Sequence, residues 1–165
     1  LRRKTVCGVG LKLMPGIKIQ TNENKQLIIE APVLEQPYLL TNDLVHLVSD
    51  NEFDWLGRTD NVINTGGVKI NPEEIEQQLQ KYIQPSFFVG SVPDPRTGER
   101  LVIEIEMAEL SIKDKVELKE AIASLPKIKQ AKMALLFHHF VRTGNGKIKR
   151  KETLAQPYQT IAITD

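Results

Sequence analysis

Three short stretches carry side chains whose types and spacing suit chemistry on an anion or a nucleotide. In Val141-Arg142-Thr143-Gly144-Asn145-Gly146-Lys147-Ile148-Lys149-Arg150, two glycines flank Asn145 and Lys147 closes the loop. A loop of this kind can carry a compact ammonium up to a phosphate, where it acts as a point charge. It is not a P-loop, which needs a longer Gly-to-Lys spacing and a Ser or Thr after the lysine. Taken alone, the plainer reading is a solvated basic loop. Thr41-Asn42-Asp43 stands at an expected strand start, where Asp43 can accept hydrogen bonds from a sugar diol or close an Asx turn. In Gly57-Arg58-Thr59-Asp60, Arg58 can pair with Asp60 or Asp54, which at a surface is worth little.

Other candidates read as structural. His138-His139 end an apolar strand with no Cys, Asp or Glu at ligand spacing, so no metal site is expected. Cys7 has no His or basic pair beside it to activate a thiolate, and as the sole cysteine it excludes an internal disulfide. Glu73, Glu74 and Glu76 read as the solvated first turn of a helix, favoured there by its dipole.

The elements that must position these residues change character along the chain. Residues 1–58 read as short strands: Ile17–Ile19, Gln26–Glu30, Leu44–Val48 and Phe53–Leu56, separated by polar or proline-bearing turns. That is too little to close a core, so this part is expected to be the β-rich tail end of a larger domain. Residues 59–165 read as a small α+β domain. It opens with a β-hairpin, Val62-Ile63 and Val68-Lys69-Ile70 joined by a tight Gly66-Gly67 turn. Asn71-Pro72-Glu73-Glu74 starts a helix with Ile75, Leu79, Tyr82 and Ile83 on one face, ended by Pro85. Phe87–Val89 is a strand closed by Gly90, and Val92–Glu99 a loop. Ile103, Ile105 and Met107 alternate with Glu104 and Glu106 as a strand with one wet face. Ser111 and Asp114 cap a helix bearing Leu118, Ala121, Ile122 and Leu125, followed by a strand over Met133–Phe137 and a short helix from about Lys151. The expected sheet is roughly three-stranded, packed with helices.

Composition bounds the function. The 165 residues are 41% hydrophobic and 26% charged with a net charge of +1, the profile of a globular chain without an overall basic surface for nucleic acid. No apolar run approaches the ~18 residues of a membrane span and no secretory signal is evident, so a cytoplasmic protein is expected. The chain opens at Leu1 without a methionine, which suggests a piece processed or excised from something longer.

In combination the motifs resemble those of the adenylate-forming enzymes: acyl-CoA synthetases, peptide-synthetase adenylation domains and luciferases. The resemblance runs over about residues 12–154, through Thr41–Asp43, Gly57–Asp60, Gly66-Gly67-Val68-Lys69-Ile70-Asn71-Pro72-Glu73-Glu74-Ile75-Glu76 and Arg142–Arg150. It implies a C-terminal portion in which a small domain swings against a large one. By position, Asp43 matches the aspartate that binds the ATP ribose, Arg58 its helper and Asp60 the hinge. Gly66, Gly67 and Lys69 match the loop lining the CoA pantetheine tunnel, and Lys147 matches the lysine that assists adenylation. Asn42 replaces the usual glycine and Val141 the common proline. The resemblance implies ATP and CoA as substrates together with a small-molecule carboxylate, and Mg2+ bound outside this chain. The run Trp55–Gly67 and Thr41–Val45 are similar to one branch, the o-succinylbenzoate–CoA ligases of menaquinone synthesis. The chain alone, without an ATP loop or acyl pocket, is expected to be inactive. Two alternatives stand beside this reading: an adenylation domain loading a carrier protein, and a free-standing module whose Lys147–Arg150 strip binds a phosphate-bearing partner.

Overall fold

A computed structural model describes residues 10–163, so Cys7 lies outside the described residues. The chain divides between Val62 and Ile63 into two compact units. In the first, strands β1 (Leu11–Lys12), β2 (Lys18–Thr21), β3 (Gln26–Glu30), β4 (Leu39–Ser49) and β5 (Glu52–Arg58) form an antiparallel sheet in the order β1-β5-β4-β3-β2. Leu27, Leu44 and Val45 are its buried apolar residues, whereas Val33, Tyr38, Leu39 and Leu40 are exposed. A one-turn 3-10 helix over Thr59–Asn61 follows β5. Thr41–Asp43 does not start a strand, as expected, but lies within the eleven-residue β4, just ahead of a register shift at Leu44/Val45.

The second unit holds β6 (Ile63–Thr65), β7 (Val68–Ile70), α1 (Pro72–Leu79), β8 (Phe87–Asp94), β9 (Gly98–Glu106), α2 (Ile112–Ala123), β10 (Met133–Phe137), α3 (Arg150–Leu154) and β11 (Gln159–Ala162). The α+β class is as expected. Around the central β8, β9 and β10, the sheet also takes in the hairpin and β11, in the order β11-β10-β9-β6-β7 with β8 paired to β9. The hairpin forms at Gly66-Gly67, both at positive φ (58° and 84°), a region glycine enters without strain.

Strand alternation divides the sheet into two cores. Val89, Leu101, Ile103, Ile105, Ala134 and Leu136 face α1 and α2. Phe88, Val102, Leu135 and Phe137 face the opposite way, against Phe140, Ile148 and Leu154 from the segment that carries the glycine loop and α3. Both faces are therefore covered.

This second cover overturns several expectations. Glu104 is not on a wet face; it is fully buried, because the segment after β10 folds back over that side. Gly90 does not close a strand, and Val92–Glu99 is not a loop. β8 runs through Gly90 to Asp94 and pairs with β9 from Gly98 onward. A Cβ at Gly90 would stand 2.5 Å from Glu104 Oε1, so the glycine makes room for that carboxyl. Helix α1 ends at Leu79, six residues before Pro85, and Tyr82 is exposed rather than on the buried face. The Ser111–Asp114 capping box forms in both directions, whereas Asn71 makes no side-chain cap bond.

Candidate functional site

The first unit brings three of the candidate side chains into one cluster through strand register. Asp43 on β4 lies directly opposite Arg58 on β5, and Arg58 Nη1 stands 3.6 Å from Asp43 Oδ1. Arg58 also forks onto Asp60 in the 3-10 turn, Nε to Oδ1 and Nη2 to Oδ2, each 2.9 Å. Asp43 Oδ1 accepts a hydrogen bond from Trp55 Nε1 at 3.1 Å, and the Asp43 amide donates to Thr41 Oγ1 at 3.1 Å. The Asp43 carboxylate is thus oriented by an indole and a guanidinium instead of closing an Asx turn, and a third of it stays open to solvent. Asp60 lies two residues before the division between the units.

The other candidates lie in the second unit. Gly66 and Gly67 form the bare tip of the β6–β7 hairpin; the Gly66 amide bonds Thr97 O at 2.9 Å, and nothing lies within 4 Å of where a Gly67 Cβ would be. Lys69 is exposed on β7, opposite Asn64. Lys147 is exposed on a different loop and makes no ion pair among the described residues.

That loop is built from both ends. Arg142 and Ile148 form an antiparallel bridge, Lys149 N bonds Val141 O at 2.8 Å, and Thr143 N bonds Lys147 O at 2.8 Å. The turn is closed by Gly146 N to Thr143 O at 2.9 Å and by Lys147 N to Thr143 Oγ1 at 3.1 Å. Lys149 pairs with Glu152 and Arg150 with Glu76, so the basic strip is largely neutralised within the fold.

The sequence reading missed the carboxylates around these arginines. Glu73, Glu74 and Glu76 are not a solvated first turn. Glu73 is buried 3.8 Å from Arg150, Glu74 pairs with Lys129 at 2.7 Å, and Glu76 receives the Arg150 fork at 2.7 and 3.0 Å. Burial pushes the Glu76 carboxyl up, and the Arg150 charge offsets this only in part. Glu104 is pushed up much further by burial, with Arg150 opposing the shift and Glu76 adding to it. Among the described residues no side chain donates to either Glu104 oxygen; the backbone amides of Glu104 and Gly90 approach the carboxyl and also oppose its shift. Glu106 shifts the other way: the Arg142 fork holds its carboxyl below the usual range and raises the arginine. Only the run of basic residues within Arg142–Arg150 hinted at internal partners.

No protein-family model matches the chain. Among curated relatives, it is 27% identical over 111 residues to surfactin synthase subunit 1 of Bacillus subtilis, which covers 67% of this chain and 3% of the relative. It is 30% identical over 120 residues to the sulfoacetate–CoA ligase of Cupriavidus necator, covering 71% and 23%. Among solved structures, an AMP-forming acyl-CoA synthetase/AMP-acid ligase II-like protein from Dyadobacter fermentans matches with a TM-score of 0.56 and 32% identity, over 87% of this chain and 42% of that one. The o-succinylbenzoate CoA synthetase of Bacillus subtilis matches with a TM-score of 0.75 at 18% identity, over 91% and 36%, a likeness of fold alone. Surfactin synthase apart, these relatives and neighbours are acyl-CoA ligases of the AMP-forming kind. The chain spans less than a quarter of either curated relative's length. No described helix is long and apolar enough to cross a membrane.

Proposed function

We propose that this chain is the C-terminal portion of an ATP-dependent acid–thiol ligase, which activates a carboxylate as acyl-AMP and transfers the acyl group to the thiol of CoA. The observation that carries the reading is the Asp43–Arg58–Asp60 cluster: strand register sets an oriented, partly open carboxylate against a guanidinium that also forks onto the turn before the second unit. Asp43 and Arg58 would bind the ribose hydroxyls of ATP, and Asp60 would serve as the axle on which the second unit turns. Residues 1–58 would be the end of a larger domain, consistent with the apolar side chains that the first sheet leaves exposed. Mg2+ is assigned to the part of the complete enzyme outside this chain.

In the first half-reaction a substrate carboxylate attacks the α-phosphorus of ATP, and negative charge collects on the oxygens around it. The Lys147 ammonium would stabilise that charge by charge-assisted hydrogen bonds. In the second, a thiol attacks the acyl carbonyl, AMP leaves, and the side-chain-free Gly66-Gly67 tip, with Lys69 beside it, would leave room for the pantetheine arm. The o-succinylbenzoate substrate, and with it a place in menaquinone synthesis, rests on the Trp55–Gly67 run. A carrier-protein thiol in place of CoA is a second reading, since the motifs also resemble those of peptide-synthetase adenylation domains.

The test is Lys147→Ala in the full-length protein. It is expected to lower acyl-AMP formation by about 10²-fold or more, as loss of a transition-state charge partner does, while supplied acyl-AMP is still converted to thioester. Equal loss of both half-reactions would overturn the role given to Lys147.

A further inference from the structure

We propose that Arg142 and Arg150 are positioning residues for Lys147, forming a two-arginine clamp that fixes both stems of its loop; the proposal rests on the reading of Lys147 given above. Upstream, Arg142 forks onto Glu106 at the end of β9, Nη1 to Oε1 at 2.8 Å and Nη2 to Oε2 at 2.6 Å, and reaches Ser86 Oγ at 3.2 Å. Glu106 Oε1 also accepts the Phe140 amide at 2.7 Å, so one carboxylate holds the backbone and the side chain of the same stem. Downstream, Arg150 forks onto Glu76 of α1 and donates to Val89 O at 3.1 Å, while its guanidinium lies 5.2 Å from the Phe88 ring centre. Among the described residues strand β8 pairs with β9 alone, and Glu76 accepts the Val89 amide at 2.8 Å. Glu76 and Arg150 therefore close the free edge of β8 at Val89 and tie the start of α3 to it.

Between the two anchors, residues 143–147 bond to one another and, among the described residues, to no other segment, and Lys147 is exposed to solvent. The arrangement suits a lysine that must be delivered to a remote centre. Forked, planar donors give each stem one geometry, which a lysine at either position could not do. A short span set on fixed stems confines the ammonium without burying it. Positioning of this kind matters because a displacement of about 1 Å at a reacting centre can cost about 10²-fold in rate.

The experiment uses the full-length protein and the first carboxylate from a panel of o-succinylbenzoate, sulfoacetate and a medium-chain fatty acid that supports ATP–pyrophosphate exchange. Arg150→Gln and Arg142→Lys are expected to lower kcat of exchange by about 10²-fold with KM for ATP unchanged, and to spare thioester formation from supplied acyl-AMP. Combined with Lys147→Ala, neither should lower exchange further, since both act through the lysine. Amide hydrogen exchange gives a readout independent of substrate: protection of Gly146 and Lys147 should fall by about tenfold while β9 and β10 stay protected. Arg142→Lys keeps the clamp testable if Arg150→Gln fails to fold. If Lys147→Ala itself leaves adenylation intact, the reading of Lys147 falls. If Lys147→Ala cripples adenylation but the arginine variants do not, or if they slow the Lys147→Ala background further, the clamp alone is overturned.

Discussion

Glu104 is the residue whose environment most departs from its type. It sits on the central strand, fully buried among Phe88, Val102, Leu135 and Phe137, with no side-chain partner among the described residues for either carboxyl oxygen. An ionised carboxylate there would be poorly solvated, so burial raises its carboxyl well above the usual glutamate range. The sign of the consequence follows from proton counts. Between the unfolded pKa near 4.3 and the raised folded value, the native state binds the extra proton, so stability falls as pH rises through that window, by at most about 1.4 kcal/mol per pH unit. Below the window the penalty vanishes. Glu104→Gln keeps the shape and removes the titration. Urea unfolding is expected to show the variant gaining on wild type as pH rises above the ordinary glutamate range, with a flatter dependence overall. The residual slope would come from Glu76, whose carboxyl is also raised and which, with Arg150, is the charged neighbour of Glu104. Equal pH slopes for the two proteins would show that Glu104 is already ionised. In the sequence, Glu104 reads as a solvent-facing residue because it alternates with Ile103 and Ile105. Period-two patterning marks a wet face only when nothing covers it, and here the cover comes from a segment some forty residues later whose apolar residues show no helical or strand period.

Elements whose signals are local were legible. The Ser111–Asp114 capping box, the Gly66-Gly67 hairpin and the β10 strand all formed where their residues predict, because each depends on neighbours a few positions away. Elements decided by distant partners were not. The two-residue β1 exists only as an edge on β5, and β11 only as an edge on β10. Gly90 reads as a strand terminator, yet it is a strand interior emptied for Glu104. Asp43 and Arg58 stand fifteen residues apart, and their pairing follows from β4–β5 register, which strand patterning alone did not show; the family resemblance implied only a shared role at the ribose. The hairpin makes a testable element. Gly67 has φ 84° and open space where a Cβ would point, so Gly67→Ala should cost about 1–2 kcal/mol from backbone strain alone, with no clash to relieve. Gly66 has φ 58°, a conformation asparagine tolerates, and Gly66→Asn should be the milder change. Thermal unfolding of both variants checks the order, and a Gly67→Ala protein as stable as wild type would contradict it.

At the scale of the molecule, the question is whether 165 residues can work without the rest of a ligase. The proposed chemistry needs the ATP phosphates held in place, an acyl pocket, and groups that meet at one phosphorus atom. The chain contains no Gly/Ser/Thr-rich phosphate loop, and it spans 42% of the Dyadobacter fermentans chain that it matches. Nor does its charge offer a substitute: the net charge is +1, and within the Lys147–Arg150 strip Lys149 and Arg150 are paired to Glu152 and Glu76. A free phosphate-binding module would leave those cations open to its ligand and would lose affinity steeply with salt. The isolated chain is therefore expected to form no CoA thioester from ATP, CoA and any carboxylate of the panel, and to show no salt-sensitive binding of tripolyphosphate. Thioester formation by the isolated chain would show that the activity does not need a larger domain. Tripolyphosphate binding lost on neutralising Lys147 and Lys149 would favour the interaction module instead.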